Sequence, residues 1–331
     1  MLTKSKFASR FLSRLSALAV ATLMVAALAL PAAAQDVTPL VTPQWLKSKL
    51  GDPGVVVLDI RSALGGGGKE GYLKGHIAGA VFSDYDKAGW RVERGGVPFM
   101  VPTKPELEKL IGELGIDEDD HVVVVPAGVS FTDFGAAARV YWTLKVAGLA
   151  KISILDGGYQ AWTADASNPV ETGDKTPSPK IFTAKFNDGI RIEASQVEKL
   201  VEKGGATLID ARPASYFAGK EKAPTAKAYG RLPGAVSFDS ADFYDKATNR
   251  VKPKAELEKI AAHIPAGPTV SYCNTGHWAS TDWFVLSELL GRKDVKLFAG
   301  SMVEWTSDAN RPLASERTKW DDLKKALGLG S

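Results

Sequence analysis

A second cysteine is missing from this sequence. Cys273 is the only one in 331 residues, so no intramolecular disulfide can form and any thiol chemistry must involve another molecule. A single thiol also gives no basis for a cysteine-built zinc site. Histidine is scarce too. His76, His121, His263 and His277 are all there are, they show no metal-ligand spacing, and no metal is expected. No charge of one sign dominates. The formal net charge is +3, and four basic residues before position 35 account for more than that. From Gln35 on the balance is about −1, which gives no ground for binding nucleic acid or an anionic surface. A phosphate loop is lacking as well. Gly65–Gly68 precedes no Gly-Lys-Ser/Thr and reads as a flexible loop.

Long apolar runs are absent except at the start. Lys4, Lys6, Arg10 and Arg14 precede an apolar stretch from Leu15 to Leu30, broken only by Ser16 and Thr22, and Ala32-Ala33-Ala34 follows. This order predicts a signal peptide over 1–34, cleaved before Gln35, because the run is short for a spanning helix and ends in small residues. No cysteine follows to carry a lipid, and no Arg-Arg pair precedes, which points to the general secretion route. The expected product is a periplasmic monomer, free of the membrane once cleaved.

The rest of the chain is written twice, the second copy about 150 residues after the first. Val55-Val56-Val57-Leu58-Asp59-Ile60-Arg61 answers to Ala206-Thr207-Leu208-Ile209-Asp210-Ala211-Arg212. Gly75-His76-Ile77-Ala78-Gly79-Ala80-Val81 answers to Gly230-Arg231-Leu232-Pro233-Gly234-Ala235-Val236. Glu106-Leu107-Glu108-Lys109 answers to Glu256-Leu257-Glu258-Lys259, and Asp156-Gly157-Gly158 with Trp162 answers to Ala299-Gly300-Ser301 with Trp305. Four matches in one order imply duplication of a whole domain. The expected domains are 36–170 and 191–314, with a Pro- and Thr-rich linker at 171–190 that starts extended. A tail at 315–331 would carry one helix from Thr318 to Leu327.

Short continuous apolar runs such as Val55–Leu58, Val122–Val125, Ile152–Leu155, Leu208–Ile209 and Val295–Phe298 read as strands buried on both faces. Helical segments at Lys104–Leu114, Ala136–Ala147, Ala194–Lys203, Lys254–His263 and Ser280–Leu290 alternate with them. Alternation of this kind predicts α/β domains, each a mostly parallel sheet flanked by helices. Reactive sites in such sheets lie where strand ends meet helix starts.

Cys273 stands at such a place. Pro268–Tyr272 reads as a strand, Cys273-Asn274-Thr275-Gly276-His277-Trp278 as a tight loop, and Ala279 onward as a helix that Ser280, Thr281 or Asp282 would cap. A loop of this kind can turn successive N–H groups toward one point, and the helix dipole adds to it. Both favour the thiolate, which is the nucleophile. Gly276 suits a closed loop that requires positive φ.

In these features the chain resembles the tandem-domain rhodaneses, the thiosulfate/3-mercaptopyruvate sulfurtransferases. The resemblance rests on the two copies, Asp-x-Arg after a strand, Gly-His-Ile-x-Gly-Ala, the Asp-Gly-Gly…Trp ending and a cysteine loop in the second copy alone. It implies two domains of one fold, packed face to face, of which only the second is catalytic. It also implies sulfur transfer through a persulfide on Cys273, from a small sulfur donor to a thiol or cyanide acceptor, with no cofactor. The loop residues Asn274, Thr275, Gly276, His277 and Trp278, with Arg231, would contact substrate. Asp210 and Arg212 would form a buried pair that braces the loop.

The chain departs from the pattern in its cations. Thiosulfate-using relatives carry Arg or Lys in the cysteine loop, where Asn274, Thr275 and His277 stand here, and Arg six residues after the Asp, where Tyr216 stands here. Lys220, Lys222, Lys227 and Arg231 lie in the adjoining segment as substitutes, and the donor is left open. His277 has two readings, a functional one as proton handler or anion donor and a structural one as shaper of the loop. Trp278 has two as well, a wall beside the sulfur or packing between the domains. A persulfide carrier without turnover is the alternative function. A cysteine phosphatase would need Arg six residues after the cysteine, where Ala279 stands. A papain-like hydrolase would need a histidine base that cannot be assigned.

Overall fold

The computed structural model describes residues 37–318 and 320–321. The expected signal peptide and most of the expected tail helix lie outside the described residues. Among the described residues no helix is long and apolar enough to cross a membrane.

Each repeat builds a parallel sheet, and the two sheets have the same strand order. In the first, Leu40–Val41, Lys151–Leu155, His121–Val125, Val55–Asp59 and Val81–Phe82 lie side by side. In the second, Val295–Leu297, Thr269–Tyr272, Thr207–Asp210 and Val236–Ser237 repeat that order, and a single bridge from Arg191 to Leu297 takes the place of the first edge strand. The central strands are buried along their length and carry β-branched residues at most positions of the first and half of the second, as suits a sheet covered on both faces.

Both Asp-x-Arg motifs solve the same problem. Asp59 and Asp210 end strands and are fully buried, and each is paired with the arginine two residues on, at 2.7 and 2.6 Å. Each arginine also donates to the carbonyl that opens the second motif, Arg61 to Gly75 at 2.7 Å and Arg212 to Gly230 at 2.9 Å. A buried charge is tolerated only when paired and hydrogen-bonded, so these residues travel together in both copies.

The helix Phe131–Ala147 begins five residues before the expected Ala136. Ser130 caps it, accepting from the Asp133 amide at 3.1 Å, and Gly148 ends it at φ 105°. It packs against the corresponding helix of the second repeat, with Tyr141 edge-on to Phe284 at 5.0 Å and Phe134 edge-on at 5.8 Å. That partner was expected as one helix over Ser280–Leu290. It is α-helical from Ala279 to Trp283 and then π-helical from Phe284 to Leu289, closed by the Leu290 amide on the Val285 carbonyl. Glu288, on the wider turn, accepts from Tyr141 at 2.7 Å and pairs with Lys145 across the domain boundary.

The connecting segment has no regular structure over residues 174–187 and is nonetheless tied down. Its Lys180, Lys185 and Asn187 amides donate to Gly112, Ala147 and Val146 carbonyls. Phe182 and Ala184 insert into the core. Burial of an apolar pair outweighs the freedom that the Pro- and Thr-rich composition would otherwise retain.

Candidate active site

Cys273 follows the strand Thr269–Tyr272 and is 1% exposed, in the wall of a cavity of about 390 Å³. Both repeats line it. The first supplies Leu64, Asp86, Arg91, Phe99 and Thr132. The second supplies the cysteine loop and Ala223–Thr225.

The loop is held from below and behind. The Cys273 amide donates to Ser301 Oγ at 3.0 Å, and the Cys273 and Asn274 carbonyls accept from the Met302 and Val303 amides. Ser301 Oγ donates in turn to the Phe298 carbonyl at 2.8 Å. Ser301 occupies the position of Gly158 in the first repeat and keeps its left-handed backbone, at φ 51°. A serine there is strained by about 1–2 kcal/mol, and the hydroxyl is what the strain provides. Arg212 reaches up from its pair with Asp210 to Asn274 Oδ1 at 3.4 Å, and Tyr272 donates to the same Asp210 at 2.9 Å. Asp210 and Arg212 therefore brace the loop.

The amides of Ser280 and Thr281 return to the His277 and Trp278 carbonyls. Those of Asn274 to Trp278 have no acceptor among the described residues. The first repeat makes the contrast plain. In its loop the amides of Ala127, Gly128 and Val129 all donate to the carboxylate of Asp133, at 3.1, 2.6 and 3.4 Å. The first repeat closes its loop with the Asp133 side chain, and no described side chain does the same for the loop that holds Cys273.

His277 is buried and fully engaged. Its Nε2–H donates to the Thr132 carbonyl at 2.7 Å, which leaves Nδ1 to accept from the Tyr85 hydroxyl at 2.8 Å. Burial, helped by the nearby charge of Arg91, pushes its pKa down to about 3. A neutral ring with both nitrogens occupied cannot shuttle protons. It anchors the loop to the first domain, which decides between its two readings. Trp278 fills both of its own, lining the cavity while packing at 5.9 Å against Phe131 of the first domain and edge-on to Tyr216.

Two expectations are corrected. Arg231 does not line the cavity. Its guanidinium lies 4.2 Å over Phe217, donates to the Phe217 carbonyl at 2.9 Å and faces Glu316 at 3.3 Å. A neighbouring aromatic and carboxylate draw it to the other side of its turn. Lys222 likewise is spent on the Ala226 carbonyl at 2.7 Å. Ser280, Thr281 and Asp282 do not cap the helix. They lie within it, fully or nearly fully buried, and Ser280 Oγ donates back to the Gly276 carbonyl at 2.7 Å. Position Trp278 takes the cap without a side-chain bond.

The cations come from the first domain, which the sequence reading missed. Arg139, on the helix Phe131–Ala147, is fully buried and donates to the Thr275 carbonyl at 3.3 Å and the Ala299 carbonyl at 3.5 Å. It pairs with no carboxylate among the described residues. Burial pushes its pKa down to about 10, so it remains charged behind the loop. Gly276, at φ 70°, is what lets it approach. A Cβ there would lie 2.3 Å from Arg139 Nη1 and 2.3 Å from the Ala299 oxygen. Arg91 faces the cavity itself.

Comparison with known proteins agrees with this geometry. The model of the rhodanese-like domain matches twice, at residues 42–165 and 193–308. A putative thiosulfate sulfurtransferase of Synechococcus elongatus is 30% identical over 315 residues, 89% of this chain and 93% of that protein. The 3-mercaptopyruvate sulfurtransferase of Escherichia coli is 30% identical over 277 residues, 81% of this chain and 95% of its own. The solved structure of SseA from Escherichia coli superposes with a TM-score of 0.68 at 28% identity, covering 80% of this chain and 98% of that one.

Proposed function

The chain belongs to the rhodanese-like domain family, and on that premise we propose that it is a sulfurtransferase working through a persulfide on Cys273. The Cys273 thiolate attacks the outer sulfur of thiosulfate or the thiol sulfur of 3-mercaptopyruvate. With thiosulfate the S–S bond breaks and sulfite leaves with the electron pair. With 3-mercaptopyruvate the C–S bond breaks, the pair stays on carbon, and the enolate takes up the thiol proton to become pyruvate. An acceptor thiolate or cyanide then attacks the outer sulfur and returns Cys273 as thiolate.

One observation carries the reading. The only thiol of the chain lies in a cavity shared by both repeats, in a loop whose amides from Asn274 to Trp278 have no acceptor among the described residues. Those donors and the charge of Arg139 stabilise the persulfide as it forms. Repeated release of thiocyanate from cyanide, with either donor, tests the reading. A single persulfide per chain with no turnover would favour the carrier instead.

Export is part of the same proposal and rests on the sequence of residues 1–34. Amino-terminal sequencing should find a mature chain that starts near Gln35, and Met1 retained in a membrane fraction would contradict it. A monomer with a thiol or cyanide acceptor completes the reading, the former to be checked by light scattering.

A further inference from the structure

Among the described residues, Arg91 is the one cationic side chain that lines the cavity of Cys273. It is nine-tenths buried; its Nε is sealed off from the cavity, and its Nη1 has no hydrogen-bond partner among the described residues. Stacking over Tyr85 at 4.2 Å and Phe99 at 4.8 Å fixes its plane. Its Nη2 is held by Asp86 Oδ1 at 3.0 Å, and Asp86 lines the same cavity. Leu64, Phe99, Pro224 and Trp278 make the nearby walls apolar. A fixed guanidinium with an unclaimed N–H, set in an apolar wall, is built to hold an anion. The aspartate beside it has already cancelled one unit of charge.

We propose that the Arg91–Asp86 pair is the donor-specificity element, in which Arg91 receives the anionic end of the donor and Asp86 limits the cavity to a single negative charge. The inference rests on the sulfurtransferase reading and names its substrate class, small mercapto-carboxylates such as 3-mercaptopyruvate in preference to dianionic thiosulfate. A second negative charge would meet Asp86 with no second cation in the described cavity wall, and burial penalises that repulsion. The selecting residues sit on the domain that has no cysteine.

Steady-state kinetics of the full chain with each donor and cyanide test this. Arg91→Met should raise KM for 3-mercaptopyruvate by about 10- to 100-fold, the loss of a charge-assisted hydrogen bond, and change kcat by less than about threefold. Arg91→Lys should recover part of the loss, which separates charge from folding. Asp86→Asn should raise the thiosulfate to 3-mercaptopyruvate ratio of kcat/KM by about threefold or more, since a dianion gains twice what a monoanion gains from a removed negative charge. An unchanged KM in Arg91→Met, or an unchanged ratio in Asp86→Asn, would overturn the proposal while leaving sulfur transfer intact. A wild-type chain that forms no persulfide with either donor would sink the sulfurtransferase reading, and this proposal with it.

Discussion

Gly276→Ala is the sharpest probe of how the loop is built. The new Cβ would require a left-handed backbone, at φ 70°, that costs an alanine about 1–2 kcal/mol. It would also lie 2.3 Å from the Ala299 carbonyl oxygen and 2.3 Å from Arg139 Nη1. Neither can yield cheaply, because Ala299 precedes the strained Gly300-Ser301 turn and Arg139 is fully buried. Overpacking of this kind adds about 1–3 kcal/mol, for a total of about 2–5. Gly234→Ala is the matched control, with φ 75° and nothing within 4 Å of its Cβ. It should cost only the conformational part. Thermal unfolding and thiocyanate release should be measured on both. We expect Tm to fall by about 5–10 °C in Gly276→Ala, and kcat by about 10- to 100-fold as the sulfur is displaced. Gly234→Ala should change kcat little. Equal behaviour of the two variants would refute the close-approach argument.

Arg139→Met should lower the rate of persulfide formation by about tenfold or more in rapid-quench experiments, because a charge behind the loop is lost. Its stability should change by no more than about 1 kcal/mol, since long hydrogen bonds are exchanged for relief of an unpaired buried charge. His277 predicts an acid-sensitive fold. Its folded pKa of about 3 lies below the ordinary 6.5, so the unfolded chain binds more protons between these values. Stability from this residue is fully present above pH 6.5 and is lost as pH falls toward 3, at about 1.4 kcal/mol per pH unit. Unfolding free energies from urea titrations at pH 7.5 and 5 should differ by about 2 kcal/mol on account of this residue, and His277→Gln should remove that difference.

Much of the fold was legible because duplication writes the same solution twice. Asp59 with Arg61 and Asp210 with Arg212 mark the same strand end and the same buried pair in each copy. Cys273 was legible because a strand, a loop and a helix follow one another in sequence. What crosses between domains was not. Arg139 meets Thr275 across 136 residues of chain, and the only hint was an arginine amid Ala136-Ala137-Ala138 and Val140-Tyr141-Trp142. Arg231 lies in the segment adjoining the Asp210–Arg212 motif but faces Phe217 and Glu316, whereas the cavity takes its cation from Arg91. Ser301 could have been noticed as a serine in the place of Gly158. Its bond to Cys273 depends on a backbone twist that composition does not encode. The cap was misassigned because Ser280 and Asp282 are ordinary cap residues, and burial placed them inside the helix instead.

The central claim is that Cys273 carries the transferred sulfur. Mass spectrometry of the intact protein after incubation with thiosulfate, and separately with 3-mercaptopyruvate, tests it most directly. The peptide that contains Cys273 should gain the mass of one sulfur atom, removed by cyanide as thiocyanate and absent from a folded Cys273→Ser variant. Sulfur transfer that persists in Cys273→Ser, or a wild-type protein whose mass never changes with either donor, would contradict it.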